Sequence, residues 1–204
     1  MTPLATVLYE DSMRPGANDS YPLHDLVMRM VEDEINGETW KLRRSIDKNP
    51  RNGVDRVLAD VRRTLLIAGP GALFVLVDRD RVAEHLGLER RAANEAIVAA
   101  IRGRSDAPEQ LFPFFLEPNV EGLLREIREC DPELLPQSMA RAIHKDLNER
   151  DIVFNEVKKA VRRAVRDCVR RRQPGLDGLV RALGGVLTGR RSDRKSTRLN
   201  SSHA

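Results

Sequence analysis

One apolar segment constrains the fold of this chain most strongly. Residues 72–77 read Ala-Leu-Phe-Val-Leu-Val, follow the turn sequence Gly69-Pro70-Gly71 and stop at Asp78-Arg79-Asp80. A short, continuous apolar run between turn signals is typical of a strand that is buried on both faces, as in the centre of a parallel sheet. The segment therefore predicts a core strand with polar residues at its carboxyl end.

Apolar periodicity elsewhere predicts strands that alternate with helices. We expect strands at 6–9, 39–46, 72–77 and 111–116, and helices at 22–35, 54–65, 81–101, 120–129, 137–148, 152–172 and 176–187. Alternation of this kind indicates right-handed βαβ units. The predicted fold class is α/β, with a parallel Rossmann-like sheet of about four strands, helices on both faces and an α-helical C-terminal extension. The expected division is an α/β domain at 1–130, a helical extension at 131–189 and a non-native or disordered tail at 190–204.

The basic character of the chain depends partly on its tail. The 204 residues carry a formal net charge of +4. Residues 193–203 look like a translated sequencing adapter, so we exclude them from the fold. They contribute +2, which leaves +2 for the remainder. Net charge therefore says little about partners, and the distribution of charge says more.

Several classes of protein are disfavoured by the sequence. The longest apolar stretch, 64–77, is interrupted by glycine and proline and is too short to span a bilayer. The first residues do not form a secretion signal. Cys130 and Cys168 lie far apart without a companion ligand, which argues against a zinc knuckle or a disulfide framework. These features predict a cytoplasmic protein that does not contact a membrane.

A segment at 158–172 concentrates positive charge. It contains one acid, Asp167, and eight basic residues: Lys158, Lys159, Arg162, Arg163, Arg166, Arg170, Arg171 and Arg172. One interpretation is sequence-independent contact with a nucleic-acid backbone. The other is a solvated helix face, or a surface that docks an acidic partner. Lys48 and Arg51, in the predicted loop after the second strand, could likewise hold a phosphate or simply be polar loop residues.

Acidic residues follow the predicted strands. Glu10 ends the first strand, and Asp78 and Asp80 follow the buried one. Sites in open α/β sheets form at the carboxyl ends of strands, and two or three carboxylates at one edge suit a half-open Mg²⁺ site. The alternative is that Asp-x-Asp only caps the next helix.

These acids resemble the motif of the Toprim domain of topoisomerases, primases and OLD-type nucleases. The matching residues are Tyr9-Glu10 and the run from Leu73 to Asp80, and the likeness in topology extends over residues 5–120. The chain is similar to small Toprim-like proteins encoded beside ATPases in phage-defence regions, which often carry a further acid in a context like that of Glu121. Asp11 stands where the family usually has glycine.

The resemblance implies a nuclease, or a nuclease subunit, that cleaves nucleic acid, most simply DNA. Glu10, Asp78, Asp80 and Glu121 would hold Mg²⁺ or Mn²⁺, and Glu10 could also serve as a general base or acid. The chain has no separate domain with a nucleophilic tyrosine and no zinc module, which favours a nuclease over a religating enzyme. It also lacks a phosphate-binding loop of the Gly-x-x-x-x-Gly-Lys type, so any ATP-driven step would need an ATPase partner.

A second hypothesis is a non-catalytic DNA-binding regulator. Residues 81–98 resemble a helix-turn-helix, with Ala83 on the first helix and Gly87 in the turn. A recognition helix from Glu89 onward would carry Arg90, Arg91 and Asn94.

Overall fold

The computed structural model describes residues 3–10, 22–36, 44–51, 53–134 and 161–189. Within these residues the order of elements is β1 (Ala5–Glu10), α1 (Pro22–Ile35), β2 (Ile46–Arg51), α2 (Val54–Val61), α3 (Thr64–Ala68), β3 (Ala72–Asp78), α4 (Arg79–His85), α5 (Asn94–Arg102), a 3₁₀ turn (Pro108–Gln110), β4 (Leu111–Leu116), α6 (Val120–Cys130), α7 (Arg163–Arg172) and α8 (Pro174–Leu187). The strands form a parallel sheet in the order β2-β1-β3-β4. The predicted α/β fold with a parallel sheet is confirmed.

Two apolar layers cover the sheet, one on each face. Buried side chains of α1, α6, α7 and α8 pack on one face against Val7, Tyr9, Phe74 and Leu76. Those of α2, α4 and α5 pack on the other against Leu8 and neighbouring residues of β3. Alternate residues of the central strands therefore enter opposite layers, as expected for strands that are buried on both faces. No helix in the described ranges is long and apolar enough to cross a membrane.

The order in which strands are added to the sheet reverses between β1 and β3. From β1 the chain moves outward to β2, and it then returns past β1 to build β3 and β4 on the other side. In parallel α/β sheets, a crevice opens at such a switch point, outside the carboxyl ends of the strands. Glu10 and Asp78 are the last residues of the two strands that flank it.

The predicted position of the second strand is wrong. The sheet uses Ile46–Arg51, most of which we expected to be a loop, whereas Arg44 and Ser45 form a turn and residues 37–43 lie outside the described part. β2 is an edge strand whose residues after Ile46 are exposed or half-buried. Apolar alternation is therefore not required there, and Pro50 is tolerated because an edge strand needs fewer N–H donors.

Two predicted helices are interrupted. The first breaks after Val61, where the Thr64 hydroxyl donates a hydrogen bond of 2.7 Å to the Val61 carbonyl, and Leu65 is left half-exposed. The second breaks at Gly87, whose φ of +70° is unfavourable for other residues. Apolar periodicity continues across both breaks, and only the helix-turn-helix hypothesis placed a turn at Gly87.

The helices after residue 160 belong to the same apolar layer as α1 and α6. α8 approaches β4 so closely that a Cβ atom on Gly175 would lie 2.1 Å from the Phe115 carbonyl oxygen. The predicted helix at 137–148, the first part of the one at 152–172 and the tail at 190–204 lie outside the described residues.

A disulfide joins Cys130 at the end of α6 to Cys168 in α7. The spacing of the two cysteines argued against a disulfide framework, so this single bond corrects that expectation. The two residues are separated by 38 positions, and only the packing of α7 beside α6 brings them together.

Candidate active site

The centre of the site is a contact between two buried acids at the switch point. The backbone N–H of Asp78 donates a hydrogen bond of 3.1 Å to Oε2 of Glu10. Glu10 is 6% exposed and Asp78 is 3% exposed. The adjacent parallel strands β1 and β3 bring these two residues together, as the sequence predicted from their places at the ends of strands.

Each acid keeps a carboxylate oxygen that protein donors do not fully satisfy. Asp78 Oδ1 accepts a hydrogen bond of 3.1 Å from the Val120 N–H, whereas Oδ2 lies 3.9 Å from Nε of Arg81. Glu10 Oε1 is buried without a hydrogen-bond partner among the described residues, and Nη1 of Arg81 lies 3.7 Å from it. A cation that entered here would find oxygen ligands already removed from water.

Burial changes the protonation of both acids. The pKa of Asp78 is raised to about 8, chiefly by desolvation and then by the negative charge of Glu10, while Arg81 acts in the opposite direction. Desolvation also raises the pKa of Glu10, although the Asp78 N–H and the charge of Arg81 lower it. Two neighbouring buried carboxylates resist simultaneous ionisation, and a divalent cation would relieve that conflict.

Asp80 and Glu121 lie in the first turns of α4 and α6. The charges of both raise the pKa of Asp78, so both are electrostatically close to it. Asp80 Oδ1 accepts a hydrogen bond of 2.9 Å from the Arg81 N–H. The Asp78 carboxylate makes no capping bond to α4, the helix that follows it, and instead accepts a hydrogen bond from the N–H of Val120, the first residue of α6.

The donor set fits a half-open magnesium site. The described residues contain no group of three or more His, Cys, Asp or Glu side chains already arranged around a metal position. Mg²⁺ commonly binds one or two carboxylates and keeps several waters, so Glu10 and Asp78 are a sufficient pair. The buried, unsatisfied Oε1 of Glu10 is the observation that supports this fit.

Arg81 is a residue that sequence reasoning did not assign to the site. It is half-exposed and lies within ion-pair distance of both buried acids. The available signal was its spacing, since Arg81 follows Asp78 by three residues on a strand-to-helix junction. Its positive charge lowers the pKa of both acids.

Three of the seven predicted nucleic-acid contacts, Arg51, Arg163 and Arg166, form ion pairs within the chain. Arg51 pairs with Asp60, and Lys48 lies within β2. Arg166 binds Asp33 of α1, with Nε 2.6 Å from Oδ2, and Arg163 lies beside the same carboxylate. Arg162 is exposed, and residues 158 and 159 lie outside the described part. The acidic partner of Arg163 and Arg166 is therefore a helix of the same chain.

The expected helix-turn-helix is wrong in its second helix. α4 ends at His85 and α5 begins at Asn94, five residues after the expected start at Glu89. Arg90 and Arg91 therefore precede the helix that was expected to carry them. The Asn94 side chain accepts a hydrogen bond of 2.8 Å from Nε of Arg79 and is committed to a contact within the domain.

Comparisons of the chain with models of protein families, with curated proteins and with solved structures found no match.

Proposed function

We propose that this chain is a Mg²⁺-dependent nuclease, or the nuclease subunit of a defence system, built on a Toprim-like domain. The observation that carries the proposal is the buried contact between Glu10 and Asp78 at the switch point of a parallel sheet. Buried acids with raised pKa values in a crevice are a frequent signature of catalytic sites. The surrounding acids, Asp80 and Glu121, add negative charge at the same place.

Each residue has a distinct role in this proposal. Glu10 and Asp78 would hold the metal, and Asp80 and Glu121 would strengthen the local negative potential. The bound ion would orient the phosphate, lower the pKa of a water and stabilise the leaving oxygen. The Val120 N–H fixes the orientation of Asp78, and Glu10 Oε1 can accept or return a proton.

In this proposal the role of Arg81 depends on whether a cation is bound by Glu10 and Asp78. Its guanidinium lies 3.7 Å from Glu10 Oε1 and 3.9 Å from Asp78 Oδ2. Once a cation neutralises them, Arg81 would turn toward the substrate phosphate, which its planar donors match. Half of its side chain is already exposed, so this movement does not require the core to open.

Of the two tyrosines in the sequence, Tyr9 is the one that the structure describes, and it is not placed as a nucleophile. Its hydroxyl lies 2.8 Å from Nδ1 of His24 and its side chain is 1% exposed, so it is not available to attack DNA. The sequence contains no nucleotide-binding loop of the P-loop type, so we propose that any ATP-dependent step requires an ATPase partner.

The test is cleavage of plasmid DNA by the full chain in Mg²⁺ and in Mn²⁺. The variant Asp78→Asn/Asp80→Asn should lose at least about a hundredfold in rate, because it removes two acids while keeping side-chain shape. Glu109→Gln is the matched control, because Glu109 is exposed in the 3₁₀ turn at the amino edge of the sheet. Equal cleavage by the double variant and the control would contradict the proposal.

A further inference from the structure

A groove lies beside the acid pair, at the carboxyl ends of β3 and β4. It has a volume of about 560 Å³ and is lined by Arg79, Arg91, Ala92, Ala93, Asn94, Glu117 and Pro118. We call it the arginine groove. Its volume lies within the range of sites that bind small ligands.

Arg79 is held by three hydrogen bonds to neutral acceptors, so its positive charge is not neutralised by them. Its Nε donates to Asn94 Oδ1 at 2.8 Å, its Nη1 to the Arg90 carbonyl at 2.7 Å and its Nη2 to the Ala92 carbonyl at 2.6 Å. All three acceptors are neutral, and Arg79 forms no ion pair with a carboxylate in the described ranges. A guanidinium has five N–H donors, so two remain for a ligand.

The remaining walls make the groove positive. Arg91 is exposed and has no ion-pair partner among the described residues. Glu117 is the opposing charge, and its Oε1 accepts a hydrogen bond of 3.1 Å from Nδ2 of Asn94. With two arginines and one glutamate, the lining carries a net charge of +1.

The groove and the acid pair are neighbours in the structure. Arg79 directly follows Asp78 in the chain. Beyond the end of β4, Val120 follows Pro118 by two residues and donates its N–H to Asp78. The groove and the acid pair therefore lie at the same edge of the sheet, at the carboxyl ends of β3 and β4.

We propose that the arginine groove binds a backbone phosphate next to the one that is cleaved, and so positions the strand for hydrolysis. This inference rests on the proposed nuclease function and names the substrate contact beside the acids. Arg79 would supply fixed donors and Arg91 a mobile one, and both suit a phosphate because guanidinium groups match its oxygens in pairs. Held by neutral acceptors, Arg79 needs no rearrangement to receive the anion.

The first experiment measures binding of a short labelled DNA duplex, and of its single strand, in EDTA over a range of salt concentrations. We compare wild type with Arg91→Gln and with Arg62→Gln. Arg62 is an exposed arginine just beyond α2, which returns from the carboxyl edge to the amino edge of the sheet. The negative slope of log K against log salt should become shallower by about one in Arg91→Gln, because one phosphate contact is lost, and should not change in Arg62→Gln.

A second experiment locates the contact directly. A dinucleotide with a 5′-phosphate is titrated into ¹⁵N-labelled protein in EDTA, and we expect shifts at the amides of residues 92–95 and at Nε of Arg79. With Mg²⁺ present, Arg91→Gln should raise KM for DNA cleavage at least about fivefold with little change in kcat, because uniform binding is lost. Arg62→Gln should match wild type.

The outcomes separate the two proposals. Cleavage by wild type together with equal slopes for Arg91→Gln and Arg62→Gln would overturn the groove and leave the nuclease intact. A lower slope in Arg91→Gln and shifts at residues 92–95, without cleavage by wild type, would support the groove and count against the nuclease. Titration shifts confined to other surfaces would overturn the groove whatever the cleavage assay shows.

Discussion

The backbone N–H of Asp78 donates a hydrogen bond to the carboxylate of Glu10, and this contact joins the ends of β1 and β3. It fixes Glu10 while leaving the Asp78 carboxyl to face Val120 and Arg81. The two acids are thereby held together in a buried crevice, with the Arg81 guanidinium 3.7 Å from one carboxylate and 3.9 Å from the other. Such an arrangement is unfavourable for two ionised carboxylates, so it has measurable consequences for stability and for metal binding.

The first consequence is that the metal-free protein should lose stability as pH rises. The pKa of Asp78 is about 8 in the folded protein against 3.8 for a free side chain. Between these values the folded state binds more protons than the unfolded state, so the free energy of unfolding falls with increasing pH. Asp78→Asn should therefore be more stable than wild type by about 2–4 kcal/mol at pH 8.5 and by much less at pH 4. Urea denaturation in EDTA checks this, and a variant less stable than wild type at pH 8.5 would contradict it.

The second consequence is that binding of Mg²⁺ should displace a proton. A carboxylate must be deprotonated to bind a metal, and Asp78 with a pKa of about 8 is mostly protonated at pH 7. We expect release of close to one proton at pH 7 and far less at pH 9.5. Calorimetry in two buffers with different ionisation enthalpies measures this number. Asp78→Asn should bind the ion weakly, and an equal proton count at the two pH values would refute the link to Asp78.

The acid pair could be predicted from the sequence because it depends only on where strands end. β1, β3 and β4 are apolar runs between polar signals, and their order along the chain puts Glu10 and Asp78 at one edge. β2 could not be placed in this way, since an edge strand needs no apolar alternation. The interruption at Gly87 was indicated only by the glycine itself, as in the helix-turn-helix hypothesis, because the helical pattern of apolar residues continues beyond it.

Contacts between segments that are distant in the sequence could not be predicted from local sequence patterns. Gln173 follows a highly basic segment and gives no local signal, yet it is 1% exposed and binds the backbone of Glu117. Arg166 looked like a surface cation, and only the packing of α7 on α1 reveals Asp33 as its partner. These residues depend on tertiary structure, which the pattern of a single segment does not encode.

Gln173 should stabilise the end of β4 beside the arginine groove. Its side chain accepts a hydrogen bond of 3.1 Å from the Glu117 N–H and donates one of 2.7 Å to the Glu117 carbonyl. Gln173→Leu keeps the approximate volume but leaves both backbone groups without this partner, which should cost about 2–4 kcal/mol. Thermal and urea unfolding measure the loss. A change below about 0.5 kcal/mol, the usual range for surface substitutions, would show that water replaces the side chain.

The disulfide should contribute substantially to stability because it closes a long segment. Cys130 and Cys168 are 38 residues apart, and a loop of that length implies about 3–4 kcal/mol from the restricted unfolded chain. Cys130→Ser, Cys168→Ser and the double variant should lose similar amounts, since each removes the same bond. Reductant should destabilise wild type and leave the variants unchanged. Additive losses in the double variant would argue against the bond.

Arg166 and Arg162 should separate the structural and nucleic-acid interpretations of the basic segment. The Arg166 guanidinium binds both oxygens of Asp33, at 2.6 and 3.0 Å, and the two side chains are 13% and 12% exposed. Arg166→Gln should lower stability by about 1–3 kcal/mol, because Asp33 loses its closest cation, while the slope of DNA binding against salt stays the same. Arg162→Gln should leave stability within about 0.5 kcal/mol, because Arg162 is exposed, and should lower that slope by about one if the segment contacts DNA. Asp33→Asn, alone and combined with Arg166→Gln, completes a double-mutant cycle, and a coupling energy near zero would contradict the structural role of Arg166.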